Sequence, residues 1–348
     1  MNKLFLALLV FIPISFLASF LHAPPLWIFF LSALAIVPLA KYIGEATEEL
    51  SVRTGPALGG ILNATFGNAT ELIIGIFAIR SGLLEVVKAS ITGSIIGNLL
   101  LVLGGAMLFG GIKHKHQKFN RTAALASAST LLLAVIALVM PAIFQQTAPS
   151  IGTDVIEKLS VSVAILMMLM YAASLLFALK THAHLYVEEV GKIEARWSVM
   201  KSAVILLIST VAVSFVSEQL VRSIEPIVHQ FGWTELFIGV IFVAIIGNAA
   251  EHTSALVMAR KNRMDLALQI SIGSATQIAM FVAPLLILIS LFFVQPMSLI
   301  FNFFELTAII FSVLIANLVV QDGESNWLEG LQLILAYAMM AVVFFFHP

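Results

Sequence analysis

The chain contains no cysteine, which excludes disulfides, zinc–thiolate centres and thiol nucleophiles and leaves its redox compartment unread. Charge is scarce too. Asp, Glu, Lys and Arg make up 11% of the 348 residues, where a soluble domain carries about 25%. The signs nearly cancel, with 18 Lys and Arg against 19 Asp and Glu, so no basic field draws nucleic acid. No HExxH pattern and no paired nucleophile and base argue for an intramembrane enzyme. Low-complexity tracts and a separate polar domain are also missing. What remains is a chain that is 60% hydrophobic, the balance of a polytopic membrane protein with short loops.

Apolar runs of spanning length fall near 4–21, 26–50, 57–79, 84–111, 121–143, 158–180, 199–221, 234–259, 264–294, 299–320 and 327–346. They predict an all-α polytopic membrane protein of about eleven transmembrane helices. The first run, with Lys3 as its one charge, has features of a signal peptide but is long enough to span, and is taken as a retained helix. Basic residues cluster in three loops: Lys113, Lys115, Lys118 and Arg121; Lys180, Lys192, Arg196 and Lys201; and Arg260, Lys261 and Arg263. All three lie on one side if the N-terminus is cytoplasmic, which places the C-terminus opposite. The polar stretch from His182 to Arg196, with Glu188, Glu189 and Glu194, reads as a short interfacial helix. The expected organisation is an N-terminal helix (1–25), a first five-helix repeat (26–181), a cytoplasmic linker helix (182–198) and a second five-helix repeat (199–348).

The repeat is legible because two glutamates, Glu71 and Glu251, lie deep in apolar runs within matching contexts: Gly67-Asn68-Ala69-Thr70-Glu71 and Gly247-Asn248-Ala249-Ala250-Glu251. The same offset of 180 residues aligns Gly59 with Gly239, Arg80 with Arg260, and Gly93-Ser94 with Gly273-Ser274. An odd number of spans per half makes the repeats inverted, an arrangement that places ion sites near the bilayer midplane where broken helices meet. Gly59-Gly60 to Gly67, Ile246-Gly247, Gly93 and Gly273 are the expected break points.

A carboxylate at membrane depth is costly unless protonated, paired or bound to a cation. Asn68 with Glu71, and Asn248 with Glu251, share a helix face at a spacing of three. Ser94 and Asn98 in the next helix, and Ser274 and Gln277 in its counterpart, add hydroxyl and amide oxygens. An oxygen-only, flexible shell suits Ca²⁺, which takes about 6–8 oxygens. The bland readings stand beside this one. Asn68 and Asn248 are equally suited to interhelical hydrogen bonds, and Ser94 and Ser274 beside glycines to close packing. His252 points about 100° away from Glu251 on a helix and reads as a packing group. Glu48 and Glu218 lie nearer the membrane faces, as solvated ends or as gates.

The paired Gly-Asn-Ala-Thr-Glu and Gly-Asn-Ala-Ala-Glu-His segments resemble the signatures of the calcium/proton exchangers, the CAX branch of the cation/calcium exchanger superfamily. The resemblance includes Gly93-Ser94, Gly273-Ser274-Ala275-Thr276-Gln277 and the turn from Asp322 to Gly330, and covers nearly the whole chain. Sodium/calcium exchangers typically carry Gly-Thr-Ser before Pro and an acidic residue, where this chain has Gly-Asn. The resemblance implies an eleven-helix antiporter in which Glu71 and Glu251 alternately bind Ca²⁺ and protons, with Glu48 and Glu218 as gate or proton-path residues. It implies no cofactor beyond the transported ions. The compact chain without a long polar extension points to a bacterial plasma membrane as host. Some relatives carry a strongly acidic segment between the halves, which Lys192 and Arg196 dilute here. A Na⁺-coupled or Mn²⁺-transporting exchanger is the runner-up, ahead of a passive cation channel, and a homo-oligomer is left open.

Overall fold

The computed structural model describes residues 3–54, 56–183 and 195–347. The expected linker helix falls mainly on 184–194 and lies outside the described residues. Thirteen helical segments follow one another among the described residues: α1 Lys3–Phe20, α2 Pro25–Thr54, α3 Pro56–Phe66, α4 Ala69–Arg80, α5 Leu84–Lys113, α6 Arg121–Thr147 and α7 Thr153–Thr181; then α8 Val199–Phe231, α9 Glu235–Gly247, α10 Ala249–Arg260, α11 Met264–Ser290, α12 Phe303–Val319 and α13 Trp327–Phe346. Eight are long and apolar enough to cross a membrane, and α9 with α10 makes a ninth span bent by 60°. The protein is an integral membrane protein built almost wholly of helix.

Local chemistry sets the helix ends. The Asn120 side chain accepts the Ala123 N–H at the start of α6, and Ser198 accepts the Lys201 N–H at the start of α8. Asn302 with Glu305, and Asn326 with Glu329, form reciprocal caps that satisfy donors a helix start leaves free. Gly232 ends α8 at φ +67°, where an L side chain is strained.

Enclosure marks the centre of the bundle. The apolar windows of α5 and α11 are 78% and 67% buried, against 17% for α7, so α5 and α11 form the axis and α7 faces outward. The long helices α2 and α8 pack along each other in the most extensive helix pair. Their ends are tied to the intervening chain: Glu49 accepts the N–H groups of Arg196 and Trp197 at 2.7 and 3.0 Å, and Arg53 donates to the Trp197 carbonyl.

Three connections lock into one cap. Strand β1 (Gln117–Lys118) pairs antiparallel with β2 (Glu324–Ser325), Gln117 opposite Ser325. The Gln117 amide donates to the Ala259 carbonyl at 2.8 Å and to Asn262 at 3.1 Å, and Arg121 donates to the Gln321 carbonyl. The loops after α5, α10 and α12 therefore lie together, two of them carrying the basic residues noted in the sequence.

The expected helix breaks are corrected in detail. The chain breaks at Gly67-Asn68 and at Asn248, but runs as unbroken helix through Gly59, Gly60, Gly93 and Gly273. Gly93 serves packing instead. A Cβ there would lie 2.1 Å from the Val240 carbonyl oxygen, and one on Gly239 would lie 2.5 Å from the Ala89 Cβ, so paired glycines let α5 and α9 cross in backbone contact. The bounds of α4 and α10 are offset by 180 residues at both ends, as are the starts of α5 and α11.

Candidate ion-binding site

Each break turns a helix start toward the protein centre. Asn68 and Asn248 hold the residue before α4 and α10, with φ, ψ of −102°, 19° and −90°, 15°, outside regular helix. Three residues on, Glu71 and Glu251 occupy the first turns. Helix starts carry a partial positive charge and free N–H groups, which favour an acid there.

The two breaks meet. A Cβ on Gly247 would lie 3.2 Å from both Cγ and Oε1 of Glu71, so the first carboxylate rests on the second break. Glu71 and Glu251 are close enough for their charges to interact. Glu71 is 8% exposed, whereas Glu251 is half-buried.

Amides and hydroxyls bind the cluster together. Asn98 donates to Asn248 Oδ1 at 2.9 Å and to Ser274 Oγ at 3.2 Å. Asn248 in turn donates to Ser94 Oγ and to the Ala244 carbonyl, each at 2.8 Å. Asn68 donates to Gln277 Oε1 at 2.7 Å. Thus Ser94, Asn98, Asn248 and Ser274 form one hydrogen-bonded network and Asn68 with Gln277 a second pair, drawn from two breaks and two central helices, each residue buried except half-buried Gln277. Asn98 lies in a π-helical turn, Gly97–Val102, and Gln277 immediately precedes another, Ile278–Val282. Such turns concentrate at functional sites because the wider spiral re-aims side chains.

Two oxygens in this region, Glu71 Oε2 and Asn98 Oδ1, are buried without a hydrogen-bond partner. Buried acceptors left unpaired are costly, and a cation is one way to satisfy them. Among the described residues, no group of three or more His, Cys, Asp or Glu side chains is placed to hold a metal. A cation here would therefore draw most of its oxygens from amides, hydroxyls and the main chain.

The remaining sequence candidates lie elsewhere. Glu48 is exposed on α2 near Glu45, Glu49 and Arg196. Glu218 pairs with Arg222 at 2.7 Å and lines a cavity of about 430 Å³ between α1, α2 and α8. Neither joins the network. The sequence reading also missed two groups. Ser90 lines the cavity beside Glu71. Glu305 is 1% exposed and accepts from the Thr92 hydroxyl and the Asn302 N–H, each at 3.1 Å. Its signal was the Asn302-x-x-Glu305 spacing of a capping box inside an apolar run, and the structure uses it as that cap.

Residues 24–180 and 201–346 match the family described as sodium/calcium exchanger protein. The chain belongs to the calcium/proton exchanger branch of this family. The Ca²⁺/H⁺ antiporter of Aphanothece halophytica is 49% identical to this exchanger, over 100% of this chain and 97% of the relative. The crystal structure of the Ca²⁺/H⁺ antiporter YfkE superposes with a TM-score of 0.87 at 42% identity, covering 99% of this chain and 100% of that one. The crystal structure of the H⁺/Ca²⁺ exchanger CAX, at 15% identity and a TM-score of 0.72 over 99% of this chain and 92% of that one, shares the fold.

Proposed function

We propose that this exchanger is a secondary antiporter that moves Ca²⁺ against H⁺ by alternating access, with Glu71 and Glu251 binding the two ions in turn. The observation that carries the reading is Glu71 seated on the opposite break at Gly247, within reach of Glu251 and enclosed by the amide and hydroxyl network. The names of the relatives agree with it. In this reading α3 with α4, and α12, complete eleven spans, and the chain after α1 is two inverted five-helix repeats with the N-terminus cytoplasmic. The tie between Glu49, Arg53 and residues 195–197 favours α2 and α8 moving as one body. Glu48 and Glu218 would then act as gate residues from positions outside the central cluster.

The coupling follows from charge. A bound Ca²⁺ compensates two carboxylates, and two protons neutralise them equally well. An empty, doubly ionised site is disfavoured by ~2.5–3.5 kcal/mol per charge even on lenient insertion scales. The site therefore changes sides only when loaded, and exchange is obligatory. If this pair alone exchanges protons, two protons per Ca²⁺ make the cycle electroneutral.

The test is ⁴⁵Ca²⁺ uptake into proteoliposomes under imposed pH, Na⁺ or K⁺ gradients. Uptake is expected to follow the pH gradient and to stop when that gradient is collapsed. Flux that follows Na⁺ and ignores pH would replace this reading with sodium coupling, and flux needing no counter-ion would replace it with a channel. Competition by Mn²⁺ in the same assay reports the breadth of the site.

The network makes a graded prediction. Asn98→Ala removes two buried hydrogen bonds that hold Asn248 and Ser274, a change worth about 1–3 kcal/mol. Half-saturating Ca²⁺ is expected to rise about tenfold, since about 1.4 kcal/mol is a factor of ten. Unchanged Ca²⁺ dependence would show that Asn98 packs the helices without shaping the site.

A further inference from the structure

The Glu71 carboxylate opens onto a narrow cleft that no other charged side chain lines. The cleft runs between α4 and α5 toward their Arg80 and Leu84 ends, opposite the cap formed by β1 and β2, and is closed on its other side by apolar residues of α9 and α11. Its free space is about 10 Å³, room for the centre of a single water. Beyond Glu71 its hydroxyls are Ser94, which is buried, and Ser90, which is half-buried; Ala78, Val86 and Val87 continue the wall outward.

Ser90 and Ser94 are four residues apart on one helix face, about 6 Å along the axis. One water spans that distance with two hydrogen bonds of about 2.8 Å. The Glu71 carboxylate, which lines the same cleft, supplies a further acceptor, so a water there has the two to four polar partners that an internal water needs. Charged groups on the surrounding helices are absent from the lining: Glu251 on α10 lies within charge reach of Glu71, Arg80 sits exposed at the end of α4, Glu85 and Lys88 pair with each other on α5 at 3.0 Å, and Glu235 begins α9.

Ca²⁺ requires about six to eight oxygens throughout its passage, and past Ser90 this wall offers none from side chains. A proton needs only an alternation of hydroxyl and water. We propose that this cleft is a proton-only route to Glu71, with Ser90 as its relay hydroxyl, while Ca²⁺ reaches the carboxylates by another path. In each transfer a hydronium at the outer mouth gives a proton to the Ser90 oxygen and is left as water, Ser90 releases its original proton to the water between it and Ser94, and that water passes one on to the Glu71 carboxylate. No net charge remains on the serine. The inference rests on the Ca²⁺/H⁺ reading above.

The experiment compares two fluxes in the same proteoliposomes. Ca²⁺/Ca²⁺ self-exchange at equal pH needs the cation path alone, whereas pH-driven Ca²⁺ uptake also needs the proton path. Ser90→Val, which replaces the hydroxyl by methyl groups, is expected to lower pH-driven uptake about tenfold or more and to leave self-exchange within about twofold, and Ser90→Thr is expected to restore coupling. Equal loss of both fluxes in Ser90→Val and Ser90→Ala alike, or no loss in either flux, would overturn the route. A wild-type protein with brisk self-exchange and no response to pH would instead remove the Ca²⁺/H⁺ reading, so the two failures are distinct.

Discussion

Glu71→Gln and Glu251→Gln each reduce pH-driven Ca²⁺ uptake by at least a hundredfold, the largest effect expected from single substitutions in this protein. Glutamine preserves shape and one oxygen but carries neither the negative charge nor the exchangeable proton. With one carboxylate left, bound Ca²⁺ leaves the buried site with an uncompensated positive charge, and removal of one partner from a buried charge pair costs about 3–5 kcal/mol. At about 1.4 kcal/mol per factor of ten, that is a loss of about two to three and a half orders of magnitude. The two variants separate in stability. Glu71 is 8% exposed with an unpartnered oxygen, so neutralising it relieves a buried carboxylate. Glu71→Gln in Ca²⁺-free detergent should therefore unfold at or above the wild-type temperature, while half-buried Glu251→Gln should change little. A Glu71→Gln protein that exchanges at the wild-type rate would remove the central carboxylate from the mechanism.

The candidate site was legible in the sequence because its chemistry is improbable in lipid. A glutamate inside an apolar run needs an explanation, and two in matching contexts point to one another. Their partners followed from helical periodicity: Asn68 three residues from Glu71, and Ser94 and Asn98 one turn apart. The structure joins these through Asn248, which takes a bond from Asn98 and gives one to Ser94. Apolar length likewise located the helical segments to within a few residues, except that α8 runs on to Phe231, ten residues past the expected 221. Both signals are local, and local signals survive folding in a bilayer.

What the sequence left unread depends on neighbours that only tertiary structure supplies. Glycine tolerates a break and equally permits close approach, and the residue type does not say which. The breaks came at Asn68 and Asn248, whose short polar side chains accept non-helical backbone, while Gly93 was used to admit Val240. Glu218 lies at a plausible depth for a gate, and nothing in the sequence announces that Arg222, one turn on, pairs with it. Glu305 stood alone in an apolar run and its partner Thr92 belongs to another helix. The cap of loops around Gln117 needed three separate connections to meet, and none of them announces the others.

Gly93 and Gly273 hold equivalent places in the two sequence halves, yet they should respond oppositely to the same substitution. A Cβ on Gly93 lies 2.1 Å from the Val240 carbonyl oxygen and 2.5 Å from the Val240 Cα, whereas one on Gly273 meets nothing within 4 Å. The obstruction at Gly93 is main chain, so no side-chain rotation relieves it, and α5 must part from α9. Gly93→Ala should therefore destabilise by at least the ~1–3 kcal/mol usual for overpacking, and Gly93→Val should yield little monodisperse protein in detergent. Gly273→Ala adds a good helix former in open space and should be neutral or stabilise by up to ~1 kcal/mol. Thermal unfolding of the two alanine variants side by side checks the contrast. The difference has a functional side: α5 carries Ser94 and Asn98 against the break at Asn248, so a separation of α5 from α9 also pulls the network apart. Gly93→Ala should then lose Ca²⁺ affinity along with stability, while Gly273→Ala should retain both. Equal melting temperatures for the two would mean that α5 and α9 do not cross in backbone contact, and that the approach of Asn98 to Asn248 is held by something other than this glycine pair.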